Sequence, residues 1–206
     1  MTVANGDTEL MERLARDDET ALDALVAAFA PALLRFARRT LPDPTDADDV
    51  VQEAFVRVWR ARHRWRPTAC VSTYLYTILT RLCLNRRRSL FRRPGHGPLP
   101  EADEAAHPGD GAPDPERLAA SSQLRRALAT ELAALPSNQR AAVLLRHEGG
   151  LSYQEIAAAL DTTEGAVESL LSRARTRLRR RLAGWLSGGS PAHRAGEAEG
   201  KPATRG

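Results

Sequence analysis

Apolar side chains recur every three or four positions along most of the chain, which is the spacing of one face of an α-helix. The stretch DETALDALVAAFAPALLRFARRTL has this spacing, and Pro31 is expected to kink or divide its helix. Two further helices are predicted over about residues 46–65 and 72–91. No segment alternates between apolar and polar residues as a strand would. The pattern therefore predicts an all-α protein.

Four shorter helical patterns follow in the second half of the chain: LRRALATELAAL, NQRAAVLLRHEGG, SYQEIAAAL and TEGAVESLLSRARTRLRRRLAGWL. Ser152 and Glu155 have the spacing of a capping box at the start of the third helix. Thr163 is the expected N-cap of the fourth. Two helices joined by a turn of two or three residues are typical of a helix-turn-helix. The apolar stripe of the fourth helix comprises Val167, Leu171, Ala174, Leu178, Leu182 and Trp185.

Charge divides the chain into blocks. Residues 60–93 carry ten arginines and no acid, whereas residues 94–116 carry six acids, six prolines and four glycines and no base. A segment of the second composition cannot bury a core, so it is predicted to be a flexible acidic linker between two small helical domains. The predicted organisation is an N-terminal extension (1–17), a first domain (18–93), the linker (94–116), a second domain (117–186) and a disordered tail (187–206).

Composition indicates a polyanionic partner. Of the 30 basic residues among 206, 29 are arginine, and the net charge is +4 with a pI near 9.7. Cys70 and Cys83 are too few for a disulfide framework, so we interpret them as packing residues in a reducing cytoplasm, with a redox switch as the alternative. The polar, acidic residues 1–20 do not resemble a signal peptide, and no apolar run approaches the length of a membrane span. A cytoplasmic location without stable membrane insertion is expected.

No pattern for enzymatic chemistry is found. None of the five histidines pairs with cysteine at a zinc-like spacing, and no glycine-rich phosphate loop occurs. Asp49, Gln52 and Glu53 lie outward on one predicted helix, but no histidine or third carboxylate converges with them. This face is interpreted as a docking site for a basic partner, with a merely solvated face as the alternative. The sequence predicts no enzyme, no cofactor and no metal.

Two segments have features of nucleic-acid binding. The arginine block 60–93 is interleaved with aromatic residues, as in proteins that stack unpaired bases, although a core role is an equal alternative for Tyr76. Six arginines between residues 173 and 181 suggest phosphate contacts along the last helix of the helix-turn-helix. The second helix of this motif enters the major groove. An ordinary helical hairpin with a basic end is the alternative.

These motifs together resemble the small, two-domain extracytoplasmic-function sigma factors of bacterial RNA polymerase. DADDVVQEAFVRVW is similar to the family's polymerase-binding helix, and WRPTACVSTYLYTILTRLCLNRRRS to its promoter-melting segment. LPSNQRAAVLLRHEGGLSYQEIAAALDTTEGAVESLLSRARTRLRRRL is similar to its helix-turn-helix domain. The resemblance covers about residues 18–93 and 117–183, and three motifs in the family's order make it specific.

The resemblance implies roles for matching positions. The residues implied to dock on core polymerase are Asp48, Asp49, Gln52 and Glu53. Those implied to melt or hold the minus-ten element are Trp65, Tyr74, Tyr76, Arg81, Asn85, Arg86, Arg87 and Arg88. Those implied to contact the minus-thirty-five element are Arg146, Tyr153, Glu168, Ser169, Ser172, Arg173 and Arg175. The implied partners are core RNA polymerase, promoter DNA and an anti-sigma factor.

The chain departs from the family pattern at several of these positions. Tyr74 stands where the family commonly has Trp, and Arg81 where it has Asn. In the last helix, Glu168 replaces a usual lysine, so we expect it to give up a phosphate contact and to accept a hydrogen bond from cytosine N4. Leu170 replaces a usual arginine and is expected to pack inward beside Leu171.

The implied function is that of a transcription initiation factor, which directs polymerase to promoters by melting one element and reading the other. A stand-alone helix-turn-helix regulator is the alternative hypothesis. Such a regulator usually dimerises to match two half-sites, and no dimerisation helix is found. It would also have no use for the segment DADDVVQEAF.

Overall fold

The computed structural model describes residues 5–41, 43–67, 69–91 and 115–186. Within these ranges the chain is helical and contains no strand, which confirms the predicted all-α class. Two short 3-10 turns, Pro44–Asp46 and Arg62–Arg64, flank the third helix. The α-helices are α1 (Asn5–Leu14), α2 (Glu19–Thr40), α3 (Ala47–Ala61), α4 (Val71–Phe91), α5 (Pro115–Ala133), α6 (Ser137–His147), α7 (Tyr153–Leu160), α8 (Glu164–Arg181) and α9 (Ala183–Leu186).

Helices α1 to α4 form the first half of the protein around one apolar core. Helix α1 lies within residues 1–17, for which an extension outside the domain was expected, yet its Met11 and Leu14 side chains are completely buried. They pack with the inner face of α2, where Leu25, Leu33 and Phe36 are also completely buried. The first helix is therefore part of this core, because burying two large apolar side chains stabilises its attachment.

Helix α2 runs without interruption through Pro31, so of the two effects expected of this proline, a kink or a division, the division does not occur. Proline removes the backbone donor that would bond the carbonyl of Ala27. Both Pro31 and Ala27 are exposed, and water can therefore satisfy that carbonyl. The helix begins at Asp18, whose carboxylate accepts a hydrogen bond from the backbone N–H of Thr20.

The length and composition of α2 contradict the expectation that no apolar run approaches the length of a membrane span. Among the residues described, it is the one helix long and apolar enough to cross a bilayer by length and composition. The core helix of a globular protein passes the same test, and six residues of α2 are buried against other helices. The length and apolar composition of α2 are therefore weak evidence for a membrane span.

Helices α5 to α9 form the second half. Leu145, Leu151 and Ile156 are completely buried at its centre, and Val167 of α8 joins them. Helix α6 ends at His147, and Gly150 follows with a left-handed φ of 65°, a conformation that glycine adopts readily. The expected linker lies outside the described residues as far as residue 114, and the expected tail lies outside them entirely.

Candidate nucleic-acid interface

Helices α7 and α8 form the helix-turn-helix, and hydrogen bonds fix both of their starts. The Ser152 hydroxyl accepts a bond from the backbone N–H of Glu155 at 3.2 Å, and the Glu155 carboxylate accepts one from the Ser152 N–H at 2.7 Å. The Thr163 hydroxyl accepts one from the Ala166 N–H. These contacts confirm the predicted capping box and N-cap. The turn between the helices contains Asp161, whose backbone is left-handed at φ 53°.

One face of α8 is packed and the other is open. Val167, Leu171 and Ala174 are buried against the second half's core. Leu170 is half-buried and packs against the same core, so its predicted inward position is confirmed. The open face presents the side chains that a duplex could meet. The exposed residues on it are Glu164, Glu168, Ser169, Ser172, Arg173 and Arg175.

Arg146 and Tyr153 lie together at the turn between α6 and α7. The guanidinium of Arg146 donates to the Leu151 carbonyl at 2.8 Å and lies 5.5 Å from the centre of the Tyr153 ring. Arg146 is exposed and Tyr153 is half-buried. The carbonyl bond and the cation–π contact hold the cation in place beside the start of α7.

Helix α4 carries most of the residues expected to melt the minus-ten element, and its two tyrosines are buried to different extents. Tyr74 is half-buried, and burial raises the pKa of its hydroxyl. Tyr76 is only 5 % exposed and meets Phe36 edge-on, with ring centres 5.2 Å apart. Tyr76 falls on the same helical face as the buried Leu79 and Cys83, which explains its place in the core.

The polar residues towards the end of α4 are mostly open to solvent. Asn85 and Arg88 are exposed, whereas Arg87 is half-buried and burial lowers the pKa of its guanidinium. Trp65, on the loop before α4, is half-buried against the core. Arg86 forms a bidentate contact with Asp46 at the start of α3. The basic block is thus divided between exposed cations and cations held by the protein.

Helix α3 presents the acidic face expected to dock on polymerase. Asp48, Asp49 and Gln52 are exposed. Glu53 is half-buried and accepts a hydrogen bond from Arg57, one turn later, at 2.8 Å. The opposite face buries apolar side chains in the first half's core, which fixes the direction in which the acids project. The residues buried on that face are Ala47, Val50, Val51, Ala54, Phe55 and Val58.

The two halves contact each other directly through α4 and α7. The Thr73 hydroxyl donates to the Glu155 carboxylate at 2.8 Å, and Arg81 donates to the Ala158 carbonyl at 2.8 Å. A third bond joins Arg39 of α2 to Glu148 after α6, at 2.7 Å. These three contacts were not predicted from the sequence, because the two residues in each contact are far apart in the chain. Arg81, expected to contact DNA, is therefore engaged with the second half in this form.

The structure gives no sign of metal chemistry in the part of the chain that it describes. There, no three histidine, cysteine or acidic side chains lie close enough together to hold a metal ion. Both cysteines are free. Burial raises the pKa of the Cys83 thiol to about 12.

Comparison with known proteins identifies the family. Residues 25–93 match Sigma-70 region 2, and residues 125–178 match Sigma-70, region 4. The chain is 34 % identical over 173 residues to the ECF RNA polymerase sigma-E factor of Escherichia coli strain K12, which covers 82 % of this chain and 90 % of that protein. It is 32 % identical over 179 residues to the RNA polymerase sigma-H factor of Pseudomonas aeruginosa, which covers 85 % and 93 %. The chain belongs to the ECF sigma factors.

Solved structures agree with this assignment. The sigma factor RpoE from Bartonella quintana, in complex with the anti-sigma factor NepR, superposes with a TM-score of 0.64 at 25 % identity, covering 78 % of this chain and 96 % of that one. CnrH, in complex with the cytosolic domain of CnrY, superposes with a TM-score of 0.61 at 28 % identity, covering 87 % and 98 %. The protein is a sigma factor that directs RNA polymerase to promoters.

Proposed function

We propose that three separate surfaces carry out promoter selection in this chain. The acidic face of α3 docks on core polymerase, α4 engages the melted minus-ten element, and the open face of α8 enters the major groove of the minus-thirty-five element. The observation that carries this division is the open face of α8, which remains exposed while the opposite face and both caps anchor the helix. A helix presented in this way meets the geometric requirement for groove reading.

In the minus-ten step, the exposed Asn85 and Arg88 and the half-buried Tyr74 contact the displaced strand. Unpaired bases stack on aromatic side chains and their phosphates attract cations. Tyr76 lies in the core and Arg81 contacts the second half, so their use would require a rearrangement of α4's surroundings. Holding a flipped base offsets the few kcal/mol that unstacking costs.

In the minus-thirty-five step, Arg173 and Arg175 neutralise phosphates while Ser169, Ser172 and Glu168 face the bases. All five side chains are exposed on one side of α8. Arg146 and Tyr153 lie together at the turn between α6 and α7, in a position to contact the flanking backbone. Phosphate contacts supply affinity and base contacts supply the choice of sequence.

The chain acts as a non-catalytic subunit in the cytoplasm, and an anti-sigma factor controls it. Sigma factors in general initiate transcription without catalytic chemistry of their own. The solved relatives RpoE and CnrH are bound to NepR and to the cytosolic domain of CnrY, respectively. These complexes support the proposal of a comparable partner here.

Size-exclusion co-elution with bacterial core RNA polymerase tests the docking surface. The native chain is compared with a variant in which Asp49 and Glu53 are both changed to Arg. We expect the native chain to co-elute and the variant to elute alone, because two reversed charges would then meet a basic partner surface.

A matched control separates this surface from a general effect of charge. The variant with Glu12 and Asp23 both changed to Arg makes the same change in net charge at two exposed positions of the same half. It should co-elute like the native chain. Equal binding by all three proteins would show that α3 is not the docking surface.

A further inference from the structure

Arg86 and Asp46 join the end of α4 to the start of α3 through two parallel hydrogen bonds. Arg86 Nε donates to Asp46 Oδ2 at 3.0 Å, and Arg86 Nη2 donates to Asp46 Oδ1 at 2.7 Å. The Asp46 side chain is only 17 % exposed, whereas that of Arg86 is 47 % exposed. A bidentate pair of this kind fixes both distance and orientation, which a single contact does not.

Asp46 occupies the N-cap position of α3 but makes no side-chain bond to its own helix. Its carboxylate is directed to Arg86 on the neighbouring helix, 40 residues further along the chain. An aspartate at this position commonly caps its own helix, so α3 forgoes that bond while Asp46 makes a contact between helices. The contact therefore calls for an explanation beyond the stability of α3.

The two helices that this pair joins carry different surfaces. The acidic docking face of α3 begins at Asp48, two residues after Asp46. On α4, Arg86 lies between Asn85 and Arg88, both exposed, in the segment that meets the minus-ten strand. The pair thus ties the start of the polymerase-docking helix to the end of the DNA-melting helix.

The electrostatic surroundings of Arg86 belong to the acidic helix. Its pKa is raised above the ordinary value, first by the hydrogen bond to Asp46, then by the charge of Asp46 and further by the charge of Asp49. The guanidinium is directed towards carboxylates of the docking helix. A phosphate would have to compete with them for the same donors.

We propose that Arg86 is a positioning residue, which holds the docking helix α3 in register with the end of α4 through Asp46 and does not itself bind the promoter strand. This proposal rests on the proposed function and removes Arg86 from the residues expected to contact DNA. Asn85 and Arg88 then depend on the pair for their placement relative to polymerase.

The test uses polymerase holoenzyme assembled with four forms of the full chain: native, Asp46→Asn, Arg86→Gln and the charge swap D46R/R86D. Promoter opening is measured by permanganate reactivity of thymines in the minus-ten element. Promoter affinity is measured at several salt concentrations. The matched control is the swap E12R/R16E. It reverses an exposed ion pair whose charged atoms are 3.7 Å apart, between Glu12 in α1 and Arg16 just after the same helix, so this pair does not join two helices.

Loss of either partner should lower promoter opening by a similar factor, about threefold to tenfold, which is typical of coupling between contacting residues. The charge swap should recover most of that loss, and the control swap should have no effect. The dependence of affinity on salt should stay at the native slope in Arg86→Gln, since no phosphate contact is lost.

The opposite results would overturn the proposal. If Arg86 bound phosphate, Arg86→Gln would reduce the salt slope by about one, Asp46→Asn would leave opening unchanged, and the swap would be no better than the single variants. A comparable loss of thermal stability in both single variants that the swap did not restore would also contradict it. Failure of the native chain to bind polymerase would instead refute the proposed function. The co-elution experiment detects that failure independently of promoter opening.

Discussion

Thr73 in α4 donates its hydroxyl to Glu155 in α7, 2.8 Å away and 82 residues further along the chain. Glu155 serves two partners at once, because its other carboxylate oxygen accepts the backbone N–H of Ser152. One carboxylate therefore caps the first helix of the helix-turn-helix and also attaches it to the helix expected to melt DNA. In the proposed function α4 and the helix-turn-helix bind two separate promoter elements, so the Thr73–Glu155 bond would have to break for both helices to bind at once.

Replacing Thr73 by Val should loosen the contact between the halves without disturbing α7. The change keeps the side chain's shape, and a hydrogen bond to a charged group contributes about 1.5–3 kcal/mol. Small-angle scattering of the free chain should show a larger radius of gyration than that of the native protein. Promoter opening by the holoenzyme should not fall, because the bond is already broken there.

Thr77→Val is the matched control for this change. The Thr77 hydroxyl donates to the Thr73 carbonyl, so its hydrogen bond lies within α4 itself. Its loss should leave the radius of gyration at the native value. An equal expansion in both variants would show that the hydroxyl of Thr73 does not hold the halves together.

The contribution of Glu155 to the free energy of unfolding should depend on pH. Burial raises the pKa of this carboxyl, but hydrogen bonds from Ser152 and Thr73 outweigh burial and leave the pKa below the ordinary 4.5. A lowered carboxyl pKa adds stability that is complete above that ordinary value and is lost as the pH falls through the folded-state pKa. Urea denaturation of native chain and Glu155→Gln should therefore differ most near neutral pH and converge in acid. Glutamine preserves the capping box, so a difference that did not change with pH would contradict this origin.

Local features of this fold were predictable from the sequence, whereas the contacts between its halves were not. Ser152, Thr163 and Leu170 behave as predicted because caps and helical stripes depend on neighbours within a few residues. The bond between Arg39 and Glu148 spans 109 residues and depends on how two helical units pack. Whether Pro31 divides α2 depends on which side of the helix faces water, and that is set by the packing of the other helices.

The site was predictable to a similar extent. Spacing placed the α8 side chains on one open face. Spacing could not distinguish arginines that can reach DNA from arginines whose guanidinium is hydrogen-bonded within the protein, such as Arg86. It also left two readings open for Tyr76, which the structure places against Phe36. That distinction requires knowing which helix lies opposite each residue.

Arg140 is predicted to be important for stability. Its guanidinium is buried and donates to the carbonyls of Ala133 and Leu135 at the end of α5, and to the carbonyl of Arg39 on α2. Burial, and then the charge of Arg87, lower its pKa to about 10. Arg140→Met should reduce the free energy of unfolding by about 1–3 kcal/mol, because buried carbonyls would lose their donor.

Urea denaturation checks this value, with Arg60→Met as the matched control. Arg60 is exposed on α3, so the same change there should alter stability by less than about 0.5 kcal/mol. Equal stability of Arg140→Met and the native chain would mean that the buried cation costs as much as its hydrogen bonds contribute.

The two cysteines should differ sharply in reactivity. Cys83 is 1 % exposed and burial raises the pKa of its thiol to about 12, whereas Cys70 is only half-buried. Since the thiolate is the reactive form, a thiol reagent at pH 8 should modify one thiol of the native chain rapidly and the second only after unfolding. Cys70→Ser should abolish the rapid phase and Cys83→Ser should retain it. Rapid modification of two thiols in the native chain would show that the α4 core opens readily.

Glu168 is predicted to choose bases rather than to supply affinity. It is exposed on the open face of α8, one turn before Ser172 and Arg173, and a carboxylate there can accept a hydrogen bond from cytosine N4. Glu168→Lys should raise the affinity of the holoenzyme for promoters and weaken its preference at one position of the minus-thirty-five element. A specific base contact contributes about 1–3 kcal/mol, so that preference should change by roughly tenfold or more. Binding to a set of single-base promoter variants measures both effects.

Glu164→Lys separates base choice from charge, since Glu164 is also exposed but lies at the first position of α8. This control adds the same charge near the DNA, so it should raise affinity on all promoter variants alike. The two substitutions should therefore agree in affinity and differ in selectivity. If Glu168→Lys leaves the order of promoter variants unchanged, Glu168 does not read a base, and the selectivity of α8 must come from Ser169, Ser172 and the arginines that follow.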